Sequence, residues 1–239
     1  MNTFRQLFIV ALIAGAISGI FVSVVHEIAT VPVILAAEVY EGAAEAAPAD
    51  AAPADATEGE HAGHDHDAEA WAPADGLDRT FYTTLADVLT GIGFALLLVV
   101  AYRLRGGPVN WRTGLSWGLA GFVTVIVAPT LGLPLEVPGT EAAPLLQRQI
   151  WWICTVVLTG GGLAMILLRG TAVWCLAGLV LIVLPHAIGA PQPAEHGSVA
   201  PESIAHQFIV AGTITGLLFW AALGASTGFF YDRLLKPVP

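Results

Sequence analysis

Residues 149–189 read QIWWICTVVLTGGGLAMILLRGTAVWCLAGLVLIVLPHAIG, and Arg169 is the one Asp, Glu, Lys or Arg among them. A helix that crosses a bilayer needs about 20 predominantly apolar residues. The stretch contains two such runs, 149–168 and 171–189, which are separated by Arg169 and Gly170 alone. We therefore predict a tight hairpin of two membrane-spanning helices.

The same kind of apolar run occurs four more times along the chain. Of the 239 residues, 56% are hydrophobic and 12% are charged, whereas a soluble globular chain carries about 25% charged residues. This composition excludes a water-soluble enzyme, a disordered chain and a coiled coil. We predict an all-α integral membrane protein, residues 1–239 forming a single membrane domain with a bundle of six transmembrane helices. The four further spans are 7–25, 81–102, 113–130 and 206–231.

The distribution of charge predicts the orientation of the bundle. If both termini are cytoplasmic, only Arg79 and Arg148 of the nine basic residues lie outside, and only Asp232 of the 19 acidic residues lies inside. An excess of basic residues on the cytoplasmic side is the usual pattern of membrane proteins. We therefore predict a multi-pass protein of the cytoplasmic (inner) membrane with its N-terminus and C-terminus inside.

The first apolar run has a competing interpretation as a cleavable signal peptide, with Ala36 and Ala37 at the cleavage site. The run 7–25 is longer than the roughly 7–15 apolar residues of a signal peptide, so we predict that the helix is retained; five spans remain if it is not counted. Residues 28–41, which include Pro32, are compatible both with a continuation of the first helix and with a segment along the membrane surface.

The small number of basic residues and their positions exclude two classes of partner, nucleotides bound by a P-loop and nucleic acid. Lys236 is the single lysine, and it stands between Leu235 and Pro237 rather than after a glycine-rich loop. No ATP site of the P-loop type is therefore expected. With a net charge of −10, the chain would repel nucleic acid. Cys154 and Cys175 lie in apolar runs, and we predict that they are core residues rather than a disulfide pair.

The connection between the first two spans, residues 42–78, is a low-complexity acidic outer loop. It contains His61, His64 and His66 among several carboxylates. Imidazole and carboxylate groups together suit divalent transition metals, and short histidine-rich tracts often bind metal. We predict weak metal capture by this loop, the alternative being a chance enrichment of polar residues in an acidic linker.

All seven histidines fall at the predicted outer side of the membrane. Singly, each has a structural explanation, such as anchoring at the level of the headgroups. Ionisable groups inside a membrane are nevertheless costly and commonly have a function. We therefore predict that several histidines and nearby carboxylates form one metal site at the outer rim. The candidate ligands besides the loop histidines are His26, Asp87, His186, Glu195, His196 and His206.

Glycines recur at four-residue spacing in several of the runs. Such pairs allow helices to approach closely in a membrane, and we interpret them as packing positions of a compact bundle. The pairs are Gly15/Gly19, Gly114/Gly118, Gly212/Gly216 and Gly224/Gly228.

Several motifs resemble those of one family, the CbtA family. The motifs are Glu69-Ala-Trp-Ala-Pro-Ala-Asp-Gly76, Arg79-Thr-Phe-Tyr82, Gly91-Ile-Gly-Phe-Ala95, Gln149-Ile-Trp-Trp152 and Leu184-Pro-His-Ala-Ile-Gly-Ala-Pro-Gln-Pro193. The family is regarded as predicted cobalt transporter subunits associated with cobalamin-related regulation, and it is often described with five spans. The resemblance implies cobalt uptake beside a small one-helix, histidine-bearing partner, CbtB. It also implies His186, Glu195, His196 and His206 as candidate site residues.

Our leading hypothesis is a membrane subunit of a divalent transition-metal uptake transporter, which captures the ion at the outer face and passes it through the bundle. The ion is a transported substrate and no permanent cofactor is expected; cobalt comes from the resemblance, since imidazole and carboxylate sites bind nickel and zinc comparably. The alternative is a non-transporting metal-binding sensor or an assembly subunit for a separate permease. A membrane metalloenzyme is the weakest hypothesis, because no His-Glu-x-x-His motif is present, and we predict that the protein is not an enzyme.

Overall fold

The structure, a computed structural model, describes residues 2–45, 73–74, 76–194 and 197–235. Within these ranges it contains helices and no strand, apart from an isolated bridge between Thr140 and Ser198. The all-α fold class is therefore confirmed. The helices are α1 (Asn2–Ala29), α2 (Val31–Glu45), α3 (Leu77–Arg105), α4 (Trp111–Thr130), α5 (Leu145–Arg169), α6 (Ala172–Ile188) and α7 (Glu202–Leu235).

All six apolar runs form helices. Five of them, α1, α3, α4, α5 and α7, are long and apolar enough to cross a membrane, whereas α6 has 17 residues and is shorter. At 1.5 Å per residue, α6 is about 26 Å long, slightly less than the hydrocarbon core of about 30 Å. We call outer the end of the bundle at which α1 ends and α3 begins, following the orientation predicted from charge.

The hairpin of α5 and α6 turns where the sequence indicates. Gly170 follows Arg169 with φ of 63°, a left-handed conformation that glycine adopts without strain. The start of α4 is set by Asn110, whose side chain accepts hydrogen bonds from the backbone N–H groups of Arg112 and Thr113. These are two of the N–H groups that a helix leaves unpaired at its first turn.

The segment 28–41 forms a separate helix rather than a simple continuation of α1. The chain turns at Thr30, and Pro32 is the second residue of α2, where a helix needs no N–H donor. Ala37 of α2 is buried with Val137 and Ala200 in a small apolar cluster. The helix therefore packs against the outer connections that precede α5 and α7. Of the outer loop 42–78, only its ends belong to α2 and α3, and residues 46–72 and 75 lie outside the described part of the chain.

Glycines bring two helix pairs into backbone contact as predicted. A Cβ atom added to Gly15 would meet the backbone of Gly91 and Ile92, and one added to Gly19 would meet the backbone of Val88. The seam between α1 and α3 therefore has no room for a side chain at these positions. A second seam joins α4 to α7 through the glycines Gly114, Gly118, Gly224 and Gly228.

One glycine pair does not pack as expected, and one backbone contact between glycines was not expected. Gly212 faces the side chain of Leu135, and Gly216 faces the side chains of Ile126 and Phe122, so this pair forms no backbone seam. In contrast, Gly162 and Gly178 meet backbone to backbone and hold α5 against α6, although neither belongs to a pair that the sequence analysis singled out.

The helices form a main bundle and an attached hairpin. In the bundle, α1 packs between α3 and α7, and α7 packs against α4. The bundle core includes Tyr102, Trp220 and Leu223, and a hydrogen bond of 3.0 Å joins the Tyr102 and Thr227 hydroxyls. The hairpin of α5 and α6 meets the bundle mainly through the later part of α4.

A π-helical turn lies in this later part of α4. Residues 111–122 are α-helical, Val123–Val127 form the π-helical turn, and Ala128–Thr130 complete the helix. The N–H of Ala128 donates to the carbonyl of Val123, five residues earlier. The residues before the turn pack mainly against α7, whereas the turn and the residues after it make most of the contacts of α4 with α5.

The cysteine expectation is half correct. Both Cys154 and Cys175 are free thiols, as predicted. Neither is a core residue, however: Cys175 of α6 is only partly buried, and Cys154 is exposed on α5, because the hairpin presents that face of α5 away from its packing partners. In a membrane such a face contacts lipid, for which a thiol is sufficiently apolar.

Candidate metal site

Two of the predicted ligands meet at the outer part of the seam between α1 and α3. His26 lies in the last turn of α1, and Asp87 lies ten residues into α3, about 15 Å along the helix axis. The distance from His26 Nε2 to Asp87 Oδ1 is 3.9 Å, and the side chains are 31% and 19% exposed. The structure therefore places an imidazole and a carboxylate together, both partly buried, at the outer end of this seam.

Ser23 orients the carboxylate of Asp87. The Ser23 hydroxyl lies 2.9 Å from Asp87 Oδ2 and donates to it, and it also lies 3.0 Å from the carbonyl oxygen of Gly19 in its own helix. Because Oδ2 is engaged in this way, Oδ1 is the oxygen that faces the imidazole. Groups that hold a ligand in orientation commonly accompany metal-binding carboxylates.

Thr30 holds the imidazole of His26 in orientation. The Thr30 hydroxyl lies 2.7 Å from His26 Nδ1 and 3.1 Å from the carbonyl oxygen of His26. Nδ1 is thus the ring nitrogen engaged within α1, and Nε2 is the one that faces Asp87. In the tautomer with the proton on Nδ1, the Nε2 lone pair is free for a metal ion, and the contact with Thr30 supports that tautomer when an ion binds.

The separation of the two groups is compatible with one ion between them. Nitrogen and oxygen ligands bind zinc at about 2.0–2.2 Å, so two such ligands of one ion lie about 3–4.2 Å apart for angles between 90° and 180°. The 3.9 Å between Nε2 and Oδ1 lies within that interval. The pair supplies two ligands, and a complete site needs two or more others.

Both outer arginines are paired with glutamates. Arg79 Nη2 lies 2.6 Å from Glu38 Oε1, which joins α3 to α2. Arg148, in the first turn of α5, has its Nη2 atom 2.8 Å from Oε2 of Glu136, which lies in the connection between α4 and α5. Because these positive charges are engaged with carboxylates, they oppose the approach of a cation to the outer end less than free guanidinium groups would.

The seam is closed on the inner side of the pair. Gly19 contacts the backbone of Asp87 and Val88, and one turn further inward Gly15 contacts the backbone of Gly91. No gap between α1 and α3 remains at this level for an ion. An ion bound between His26 and Asp87 would therefore reach the inner side only if the helices moved apart.

The other predicted ligands lie elsewhere or outside the described residues. The His186 ring packs edge-on against Trp151 at 5.8 Å in the contact of α5 with α6, and His206 is exposed near the start of α7. In the described ranges, no three His, Cys, Asp or Glu residues form a group that could hold a metal ion. The structure thus joins two of the nine candidates. His61, His64, His66, Glu195 and His196 lie outside the described residues.

Sequence reasoning missed the two hydroxyl residues that support the pair. Ser23, His26 and Thr30 are spaced by three and four residues, which places them on one face of a helix. That spacing is a signal that could have marked Ser23 and Thr30. Their contact with Asp87 depends on the register of α1 against α3, which the amino-acid sequence alone does not reveal.

Comparison with known proteins yields one family. A family model described as "Probable cobalt transporter subunit (CbtA)" matches residues 4–232, and this range includes both members of the His26–Asp87 pair. No curated protein and no solved structure matches the chain. The match agrees with the resemblance found in the sequence motifs.

Proposed function

Because the chain belongs to the CbtA family of probable cobalt transporter subunits, we propose that it captures a divalent metal ion, cobalt in the first place, at the outer face of the cytoplasmic membrane and passes it through the helix bundle. The observation that supports this most directly is the His26–Asp87 pair, 3.9 Å apart within the seam of α1 and α3. A carboxylate in this position would be costly for a helix that served only as an anchor.

The ion loses part of its hydration shell as it binds to His26 Nε2 and Asp87 Oδ1. The further ligands in this proposal are water and the remaining outer candidates, namely His61, His64, His66, His186, Glu195, His196 and His206. The acidic loop concentrates cations near the site, because a surface of one charge raises the local concentration of the opposite charge.

The choice of cobalt rests on the family alone. Imidazole and carboxylate ligands bind nickel and zinc comparably, so the pair supports a transition metal without selecting one. The family name describes a subunit, and we propose that a small one-helix protein of the CbtB type is the partner.

One observation favours a second candidate function, a non-transporting capture or assembly subunit. Gly15 and Gly19 close the seam inward of Asp87 by backbone contact. In this candidate, the ion binds at the outer end and is handed to a separate permease. The purified chain would then bind cobalt without moving it across a membrane.

The test compares cobalt binding and cobalt flux in the purified full-length chain. Binding is measured by titration calorimetry in detergent, and flux is measured in liposomes that contain this chain alone, with nickel and zinc in parallel. The variants are His26→Ala and Asp87→Asn, with Asp78→Asn as the matched control. Asp78 is an exposed carboxylate in the first turn of the same helix.

We expect wild-type and Asp78→Asn chains to take up cobalt and both site variants to lose binding and flux. Binding without flux in the wild-type chain would establish the second candidate instead. Unchanged binding in His26→Ala and Asp87→Asn would refute the site. His186→Ala and His206→Ala test the wider rim: we expect both to abolish uptake, and wild-type uptake in either variant would remove that residue from the site.

A further inference from the structure

A deep groove separates α5 from α3 and α4 on the inner half of the bundle. The open groove has a volume of about 950 Å³, near the upper end of the roughly 300–1,000 Å³ typical of ligand sites. Its walls are apolar along most of their length, with Leu97 and Ala101 from α3 and with Val157, Leu163 and Leu167 from α5. The groove is distinct from the His26–Asp87 pair, since neither of those residues lines it.

The groove is open because α5 contacts the main bundle over only a short part of its length. Contacts between α5 and α4 are concentrated at and after the π-helical turn Val123–Val127. Inward of that turn, small residues face the space, including Gly160 and Ala164 of α5 and Ala120 of α4. A Cβ atom on Gly160 would have one near neighbour, Thr124 Cγ2 at 3.4 Å. Small residues at these facing positions therefore widen the space between α4 and α5.

Two arginines stand at the inner end of the groove. Arg105 is the last residue of α3 and Arg112 is the second residue of α4, and both line the groove. Neither forms an ion pair with a residue of the described ranges. The Arg112 guanidinium lies over the exposed Trp111 ring, 5.3 Å from its centroid. Tryptophan is enriched at the headgroup level of membranes, which indicates the depth of these guanidinium groups.

We propose that this groove is a binding site for an anionic phospholipid. The acyl chains occupy the apolar part between α3, α4 and α5, and the phosphate of the headgroup binds Arg105 and Arg112. Basic pockets between transmembrane helices on the cytoplasmic side are suited to anionic headgroups, and guanidinium binds phosphate through two parallel hydrogen bonds. A zwitterionic lipid offers the same phosphate but adds a positive charge beside the two arginines, and it therefore binds more weakly.

The experiment measures retention of lipid by the purified full-length chain. Native mass spectrometry in detergent follows the binding of phosphatidylglycerol and of phosphatidylcholine with the same acyl chains. The headgroup variants are Arg105→Ala and Arg112→Ala, with Arg103→Ala as the matched control, because Arg103 lies at the same helix end but does not line the groove. Ala164→Trp fills the apolar part, and Cys154→Trp adds the same ring to an exposed position of α5 outside the groove.

We expect wild-type, Arg103→Ala and Cys154→Trp chains to retain phosphatidylglycerol more strongly than phosphatidylcholine. Each of Arg105→Ala and Arg112→Ala should weaken retention of phosphatidylglycerol about fivefold, and Ala164→Trp should weaken retention of both lipids. Arg105→Lys should restore part of the binding, because the charge remains.

Three results would overturn the proposal. Equal retention of the two lipids by the wild-type chain would remove the role of the headgroup charge. An equal loss in Arg103→Ala would reduce the effect to general surface charge. Finally, a photoreactive residue in place of Ala164 should form an adduct with lipid in native membranes, and an adduct with a second polypeptide would show that a protein helix occupies the groove.

Discussion

Replacement of Gly91 by alanine tests whether the glycine seam holds the candidate metal site together. A Cβ atom at Gly91 would meet the carbonyl oxygen of Gly15, with Gly15 C at 3.2 Å and Gly19 N at 3.4 Å. Ordinary contacts between such atoms are about 3.5–4.0 Å, and all three neighbours are helix backbone that has no rotamer to change. We therefore expect α1 and α3 to move apart by about 1 Å.

The cost follows from two opposing contributions. Overpacking in a dense core costs about 1–3 kcal/mol, and the upper part of that range applies because backbone meets backbone. Alanine recovers up to about 1 kcal/mol through its helix propensity. The net loss in the free energy of unfolding is then about 1–2 kcal/mol. Gly93→Ala is the matched control two residues away, where a Cβ atom would meet nothing within 4 Å, and it should be neutral or slightly stabilising.

The same displacement should weaken metal binding. His26 Nε2 and Asp87 Oδ1 are 3.9 Å apart, and a further 1 Å exceeds the roughly 4.2 Å that two ligands of one ion can span. Unfolding by a denaturing detergent, followed by circular dichroism, measures stability, and calorimetric titration with cobalt measures binding. Equal stability of Gly91→Ala and Gly93→Ala would refute the packing argument. A destabilised Gly91→Ala chain with normal cobalt affinity would refute the link between the seam and the site.

Three further predictions concern other parts of the molecule. Ser23→Ala should weaken cobalt binding, measured by calorimetry, about 10- to 100-fold, which is the usual effect of losing a group that orients a metal ligand. The control Ser116→Ala, which removes a hydroxyl that bonds only within its own helix, should leave cobalt binding unchanged. Tyr102→Phe and Thr227→Val should show a coupling of about 0.6 kcal/mol in a double-mutant cycle of detergent unfolding, as expected for a hydrogen bond between membrane helices, and zero coupling would contradict the role of their 3.0 Å contact. Deletion of residues 58–69 should raise the cobalt concentration for half-maximal uptake without abolishing it, and complete loss of flux in liposomes would show that the loop is essential.

Much of the fold follows from the length and charge of the apolar runs. The hairpin was predictable because only Arg169 and Gly170 separate two apolar runs that are each long enough for a helix, so the connection must be a tight turn. Gly170 adopts the left-handed conformation that this turn requires. The separate helix α2 was not predictable, because its apolar residues suit a membrane surface and a packed helix equally. Its position depends on Val137 and Ala200, which lie about 100 and 160 residues further along the chain than Ala37.

The candidate site was predictable as a set of residues but not as a geometry. Asp87 stood out because a carboxylate within an apolar run is costly, and His26 stood out because it ends the first run. Their pairing depends on the helix register that Gly15 and Gly91 impose, which is a tertiary property. His186 lies in the motif with the strongest family resemblance, yet its ring packs against Trp151. This contact arises because α5 packs against α6 in the hairpin, which the sequence around His186 does not reveal.

The π-helical turn of α4 acts as a phase shift of one residue. Successive residues of an α-helix are rotated by about 100° around its axis, so the additional residue in the turn Val123–Val127 rotates everything that follows by about that angle. The first half of α4 can therefore direct its glycines toward α7 while the second half makes most of the contacts with α5. Deleting Val125 would restore an unbroken α-helical phase, and the hairpin would have to attach to a different side of the bundle. The attachment of α5 and α6, and with it the shape of the groove, thus depends on the one additional residue in the π-helical turn.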